Sequence, residues 1–175
     1  MGRLYSISGD YEKAIEAFDF ALTCDDSNEE LKILKAYCLY MNENYEKAIE
    51  AAGGIDLQIL GIGRTGHIGF NEPGSFITSQ TRKVFLNDLT IKDAIKDFGS
   101  RNLVPTKAIT MGVGTIMQAR RVILMAWGEK KAPIIKATVE GRVSDSVPAT
   151  FLQMHSNVQF VIDESAASEL TRADY

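Results

Sequence analysis

Gly61-Ile62-Gly63-Arg64-Thr65-Gly66-His67-Ile68-Gly69-Phe70-Asn71-Glu72-Pro73 follows directly on the apolar run Ile55-Asp56-Leu57-Gln58-Ile59-Leu60. The run reads as a strand ending in glycines, and Gly61 to Gly66 satisfies the G-x-G-x-x-G pattern of dinucleotide-binding turns. That pattern needs its third glycine in the opening turn of a long helix, whose N–H groups meet the pyrophosphate. Here Gly69, Pro73 and Gly74 follow at once, so no long helix fits before the next strand candidate, residues 83–86. A nicotinamide or flavin site is therefore not expected.

The same grammar recurs downstream. Ala108-Ile109-Thr110-Met111 is a strand candidate followed by Gly112, Gly114 and a helix from near Thr115. Residues 122–127 form another, running into a helix over residues 131–139. Residues 158–162 form a third, followed by Asp163-Glu164 and a last helix to about Leu170. Nearly continuous apolar strands alternating with helices predict an α/β fold: a partial parallel, Rossmann-like sheet with helices on both faces.

Residues 1–53 read instead as helix. Tyr11 and Tyr45, Ala14 and Ala48, and Ile15 and Ile49 each stand 34 positions apart. This period and the order of aromatic, small and apolar residues resemble a tetratricopeptide repeat, in which paired helices stack through small residues. Asp10 is placed to cap the helix at Tyr11, and Asp25-Asp26-Ser27-Asn28 gives a turn. About one and a half repeats are present. Two readings follow: a groove for a peptide partner, or a helical hairpin that only packs on its neighbour, and the second is preferred. The expected division is residues 1–53, helical, and residues 54–175, α/β.

The net charge of -4 in 175 residues argues against general nucleic-acid binding, which needs a basic surface. Cys24 and Cys38 alone do not make a disulfide framework, so a reducing, cytoplasmic setting is expected. Residues 1–6 lack the apolar core of a signal peptide, and the longest apolar runs are too short to span a bilayer, so no membrane association is expected.

The longer string from Gly61 to Pro73 resembles the signature of glucosamine-6-phosphate deaminases: a glycine turn, Gly-His-Ile, then Phe-Asn-Glu-Pro. Gly112-Val113-Gly114-Thr115 and Val139-Glu140-Gly141 match that family in order and spacing. The related 6-phosphogluconolactonases share the turn and the histidine but lack Phe-Asn-Glu-Pro. The resemblance implies an amino-sugar phosphate ligand, conversion of glucosamine 6-phosphate to fructose 6-phosphate and ammonia, no metal or organic cofactor, and homo-oligomers as a common form. It makes His67 the ring-opening histidine and Glu72 the carboxylate that orients it. Lys131 becomes a phosphate-binding lysine. Lys96 stands where the family places an arginine, keeping the charge without the bidentate fork. On the residues alone, His67 could equally be a structural loop histidine and Lys131 a solvated one. His155 carries no comparable motif and reads as structural or exposed.

Three departures bear on activity. Thr65 stands where the family has an aspartate. Ser75 and Arg82 match an allosteric phosphate motif, but Phe76 and Val84 do not. Residues 1–52 contain no counterpart of the family's phosphate loop or of the aspartate that takes the C2 proton, so the chain is expected to turn over poorly by itself. The strand at Ile55 is expected to lack parallel neighbours from that half. The alternative reading is a non-catalytic fusion or interaction module built on the helices.

Overall fold

A computed structural model describes residues 1–171, and the chain divides into two compact units, residues 1–55 and residues from 56 onward. The first unit contains α1 (Gly2–Ser8), α2 (Tyr11–Cys24), α3 (Glu29–Met41) and α4 (Tyr45–Ala51), each packed on the next. Short polar side chains start the two long helices, because they satisfy N–H groups that have no partner inside a helix. The Asp10 carboxylate accepts from the Lys13 N–H, as the sequence predicts, and the Asn28 side chain accepts from the Leu31 N–H. Gly9, at φ 81, ends α1 in the left-handed conformation that glycine adopts without steric cost. Ala14, Phe18 and Cys38 are buried at the centre, with Tyr5, Tyr11, Ile15, Leu31 and Leu34 packed around them.

The second unit runs β1 (Leu57–Gly61), β2 (Arg82–Phe85), α5 (Asp88–Phe98), β3 (Lys107–Thr110), α6 (Val113–Met117), β4 (Arg121–Ala126), α7 (Ala132–Glu140), β5 (Val158–Ile162) and α8 (Glu164–Ala167). It has the predicted α/β character: β1, β4 and β5 form a parallel sheet in the order β1-β4-β5, with helices between the strands. Between β1 and β2 there is no helix among the described residues, as Gly69, Pro73 and Gly74 lead one to expect. No helix among the described residues is long and apolar enough to cross a membrane.

The structure corrects the predicted sheet in two respects. First, β3 does not join it; β3 pairs antiparallel with β2 in a separate two-stranded ribbon. The segment before β2 crosses the glycines after β3, with the Gly114 N–H donating to the Ser79 carbonyl at 2.8 Å. A Cβ on Gly112 would lie 2.0 Å from that same carbonyl oxygen. The glycines thus admit a second backbone, and that contact places β2 beside β3.

Second, among the described residues the two faces of the parallel sheet are unequally buried. Leu60, Val122, Leu124 and Ala126 are buried on one side, and buried Ile116, Ala132, Ile135 and Leu152 belong to the same core. On the opposite side Leu57 and Ile59 are 46 % and 58 % exposed, while Ile123 and Met125 are half-buried. Register puts these on one face, because Leu57 is level with Arg121, Ile59 with Ile123 and Gly61 with Met125.

Helix limits shift modestly. α6 starts two residues before Thr115, α8 ends at Ala167 rather than near Leu170, and a 3-10 turn over Glu129–Lys131 precedes α7. The sequence reading did not anticipate α5. Its signals were the Asn87 cap, which accepts from the Thr90 N–H at 2.7 Å, and Ile91 and Ile95 one turn apart.

Candidate active site

The loop after β1 is a folded element. The Gly63 N–H donates to the His67 carbonyl and the Gly66 N–H to the Gly63 carbonyl, both at 3.0 Å. Asn71, fully buried, anchors the next stretch: its Nδ2 donates to the carbonyls of Ile68 (2.9 Å) and Met111 (2.7 Å). Its Oδ1 accepts from Arg82 Nη1 at 3.0 Å, so both ends of an amide are needed here and neither a carboxylate nor an apolar side chain would serve. The Phe70 N–H donates to Thr110 Oγ1 at 3.0 Å. These bonds tie the loop to the end of β3 and place His67 and Glu72 opposite each other.

His67 Nδ1 lies 3.2 Å from Glu72 Oε2, and both side chains are mostly buried. The Thr65 hydroxyl stands between them, 3.0 Å from His67 Nδ1, and donates to Glu72 Oε2 at 3.0 Å. A hydroxyl has one proton. With that proton given to the carboxylate, the Thr65 oxygen accepts from a protonated Nδ1, which leaves Nε2 of the neutral ring as the free proton acceptor. Gly63 admits the imidazole itself, since a Cβ there would fall 2.0 Å from His67 Cε1 and 2.1 Å from Nε2. The other Glu72 oxygen, Oε1, accepts from the Thr90 hydroxyl at 2.9 Å. Thr90 belongs to the first turn of α5, where unpaired N–H groups and the helix dipole favour a negative charge.

Lys131 approaches the same loop. It stands at the N-terminal end of α7, and its Nζ donates to the Ile62 carbonyl at 2.7 Å. Burial lowers its pKa from the ordinary lysine value, and the positive charge of Arg64 lowers it further, against an opposing pull from Asp93. Arg64 is held by both carboxylate oxygens of Asp93, at 2.7 and 2.8 Å. Lys96 lies in the last turn of α5, one turn beyond Asp93, with its side chain exposed. The structure therefore brings His67, Glu72, Thr65 and Thr90 into one bonded group and sets Lys131 beside the loop that carries Arg64, Thr65, His67 and Glu72. Lys96 stays on the rim.

Sequence reasoning missed Thr90 and Asp93, because it missed α5. It read Thr65 as a hydroxyl able to accept a hydrogen bond but lacking the fixed charge of an aspartate, and did not foresee the bridge to Glu72. Its position two residues before His67 could have flagged it as a bridge, since loop residues two apart can share a hydrogen-bond partner. His155 is structural, as the sequence reading allowed. Its Nε2 pairs with the Ala119 carbonyl at 2.8 Å and its Nδ1 accepts from the Asn157 N–H at 3.0 Å. Arg82 and Ser75 meet, but Arg82 also donates to Asn71 and the Gln80 carbonyl, so this arginine works as a brace for the loop.

The family model described as glucosamine-6-phosphate isomerases/6-phosphogluconolactonase matches residues 20–161. The chain belongs to this family. The match begins within α2, earlier than the motif-bearing stretch. The chain is 53 % identical over 133 residues to a glucosamine-6-phosphate deaminase of Shewanella woodyi, covering 76 % of this chain and 50 % of the relative. It is 54 % identical over 132 residues to one of Bifidobacterium longum, covering 75 % and 49 %. A solved monomeric glucosamine-6-phosphate deaminase superposes with a TM-score of 0.70 at 42 % identity, over 75 % of this chain and 55 % of that one. The chain thus spans about half the length of the curated relatives it matches.

Proposed function

We propose that residues 56–171 carry the ring-opening and phosphate-holding part of a glucosamine 6-phosphate site of the deaminase type. The observation that carries this reading is the Thr65 hydroxyl bridging His67 Nδ1 and Glu72, because it leaves His67 Nε2 as the proton-accepting nitrogen of the ring. His67 Nε2 takes the proton of the sugar's C1 hydroxyl and returns it to the ring oxygen, opening the ring. Glu72 stabilises the imidazolium that forms in between. Lys131 holds the 6-phosphate, with Lys96 as a second cation from α5. Completion of the reaction needs a base to move the C2 proton to C1, and water to replace the departing ammonia.

Three of the four aspartates of the helical unit, Asp10, Asp19 and Asp25, are occupied with other work. Asp10 caps α2 and pairs with Lys13 at 2.7 Å, Asp19 pairs with Lys35, and Asp25 accepts from the Ser27 N–H and hydroxyl. Without a positioned base the chain loses roughly 10²–10⁴ in rate. We accordingly propose ligand binding with little turnover by residues 1–175 alone.

We further propose that residues 1–53 are a tetratricopeptide-like hairpin that serves packing, a reading supported by burial of both Ala14 and Ala48, 34 positions apart. The two free cysteines suit a reducing compartment, and we place the protein in the cytoplasm.

The test has two readouts on the purified chain. Adding glucosamine 6-phosphate should shift the His67 ring signals in NMR spectra, whereas fructose 6-phosphate and ammonia should barely accumulate. No shift at saturating ligand defeats the site assignment. Brisk turnover that vanishes in His67→Ala defeats the prediction of low activity.

A further inference from the structure

Glu72 meets His67 through one oxygen only, and its other oxygen is held from a different element. Oε2 accepts from the Thr65 hydroxyl at 3.0 Å and lies 3.2 Å from His67 Nδ1, whereas Oε1 accepts from the Thr90 hydroxyl at 2.9 Å. A carboxylate has no proton to give, so both threonines are donors and every hydrogen bond in the group has one direction. Protons point from Thr90 to Oε1, from Thr65 to Oε2, and from His67 Nδ1 to the Thr65 oxygen. This order depends on Oε2 staying in place. Were the carboxylate to swing away, the Thr65 hydroxyl would turn its proton toward Nδ1, 3.0 Å distant, and the proton of a neutral ring would reside on Nε2.

Glu72 does not hold that position by itself. The last torsion of a glutamate side chain is broad and roughly two-fold, so its two oxygens exchange places readily. Thr90 is better anchored. It is branched at Cβ, and its backbone N–H is bound by the Asn87 side chain at 2.7 Å, so the hydroxyl projects from a fixed base. A second contact joins the same helix to the same loop. Asp93, one turn beyond Thr90, accepts from Arg64 at 2.7 and 2.8 Å. Both of those side chains are more than half exposed, and an ion pair so placed contributes little. The partly buried Thr90–Glu72 bond carries more.

We infer that Thr90 is a positioning residue: by holding Oε1 it keeps Oε2 on Thr65, and through Thr65 it sets which nitrogen of His67 is free to take a proton. Its use in catalysis rests on the reading of His67 as the ring-opening base, but the tautomer it selects exists without any ligand.

The chain supplies its own reference for the test. It has two histidines, and His155 holds the opposite tautomer, with Nε2 donating to the Ala119 carbonyl at 2.8 Å and Nδ1 accepting from the Asn157 N–H at 3.0 Å. Ring ¹⁵N spectra of the ligand-free chain, recorded at mildly alkaline pH where imidazole is neutral, should show two opposite patterns. Thr90→Val keeps the shape of the side chain and removes the hydroxyl. It should lower the Nδ1–H to Nε2–H ratio of His67 about ten-fold, the weight of one hydrogen bond to a charged group, while His155 keeps its pattern. Thr90→Ser should restore His67, and Asp93→Asn should leave it unchanged. An unaltered His67 pattern in Thr90→Val overturns the inference. So does failure of serine to restore it, or an equal effect of Asp93→Asn, which would make the docking of α5 the cause and not the hydroxyl. Should valine disturb His155 as well, the unsubstituted chain decides: three-bond couplings of Thr90 must report a single side-chain rotamer, and rotamer averaging there sinks the inference. A titration with glucosamine 6-phosphate that moves no ring signal would remove the sugar-phosphate reading and leave the role of Thr90 standing. Ligand binding alongside an unchanged tautomer in Thr90→Val would do the reverse.

Discussion

Thr65 puts a neutral hydroxyl where a carboxylate would place a second negative charge beside His67. The hydroxyl still selects the tautomer, because it donates to Glu72 and can only accept from Nδ1. Thr65→Val removes both bonds and leaves the 3.2 Å His67–Glu72 contact alone to orient the ring. The expected outcome is mixed tautomers, read from the ring ¹⁵N shifts, and a stability loss of about 1 kcal/mol. Thr65→Ser should restore both, and failure of serine to do so would mean the methyl group, not the hydroxyl, matters.

Lys131 makes a second residue-scale prediction. Its folded pKa lies below its unfolded value, chiefly through burial. Its charge therefore costs stability at neutral pH, and the cost disappears as pH rises from the folded pKa to the ordinary lysine range. A bound phosphate favours the ammonium form. Affinity for inorganic phosphate should therefore fall as pH climbs through the lowered pKa, earlier than an ordinary lysine would dictate. Calorimetry at a series of alkaline pH values checks this, and Lys131→Met should flatten the profile.

At the scale of elements, two caps decide how firmly the site is held. Asn87 caps α5, and the residue whose N–H it receives is Thr90, whose hydroxyl holds Glu72. Asn87→Ala should cost about 1 kcal/mol and speed amide exchange across Asp88–Phe98. The Glu72 contact should loosen with it, visible as broadened His67 signals. Asp163 caps α8, accepting from the Ala166 N–H at 2.8 Å and from the Gly128 N–H at 3.0 Å, so it ties the turn after β4 to the end of β5. These bonds to the Gly128 and Ala166 N–H groups hold its carboxyl below the usual carboxylate range. A depressed carboxylate contributes stability above the unfolded pKa and loses it as pH falls through the folded one. Asp163→Ala should therefore narrow the stability gap between neutral and acid pH, measured by denaturant melts.

These elements also show what the sequence could and could not reveal. Strand candidates were legible from apolar runs ending in glycine, because burial in a parallel sheet needs nothing else. Their pairing was not. Ala108-Ile109-Thr110-Met111 reads like a sheet strand, yet Gly112 and Gly114 serve a backbone crossing that no local pattern encodes. His67 and Glu72 stood out through their motif. Thr90 came to the site through a helix whose few polar-apolar alternations were easy to pass over.

For the whole molecule, the two units differ in how much core they can build. Burial grows with size, and a domain near 60 residues buries only about 60 % of the surface its unfolded chain exposes. The helical unit has 55 residues and centres on Ala14, Phe18 and Cys38. The α/β unit buries a longer set of large aliphatic side chains, among them Ile68, Ile116, Leu124, Ile135 and Leu152. The helical unit should therefore open first. Cys38 is fully buried there and Cys24 is exposed, which makes thiol labelling a local probe. Cys24 should react at once, and Cys38 should react at denaturant concentrations where amides of β4 are still protected. Phe18→Ala should cost about 3–5 kcal/mol, comparable to the whole stability of so small a unit. In that variant Cys38 should label in plain buffer while the His67 ring signals persist. Simultaneous loss of both would mean that the chain unfolds as one cooperative body.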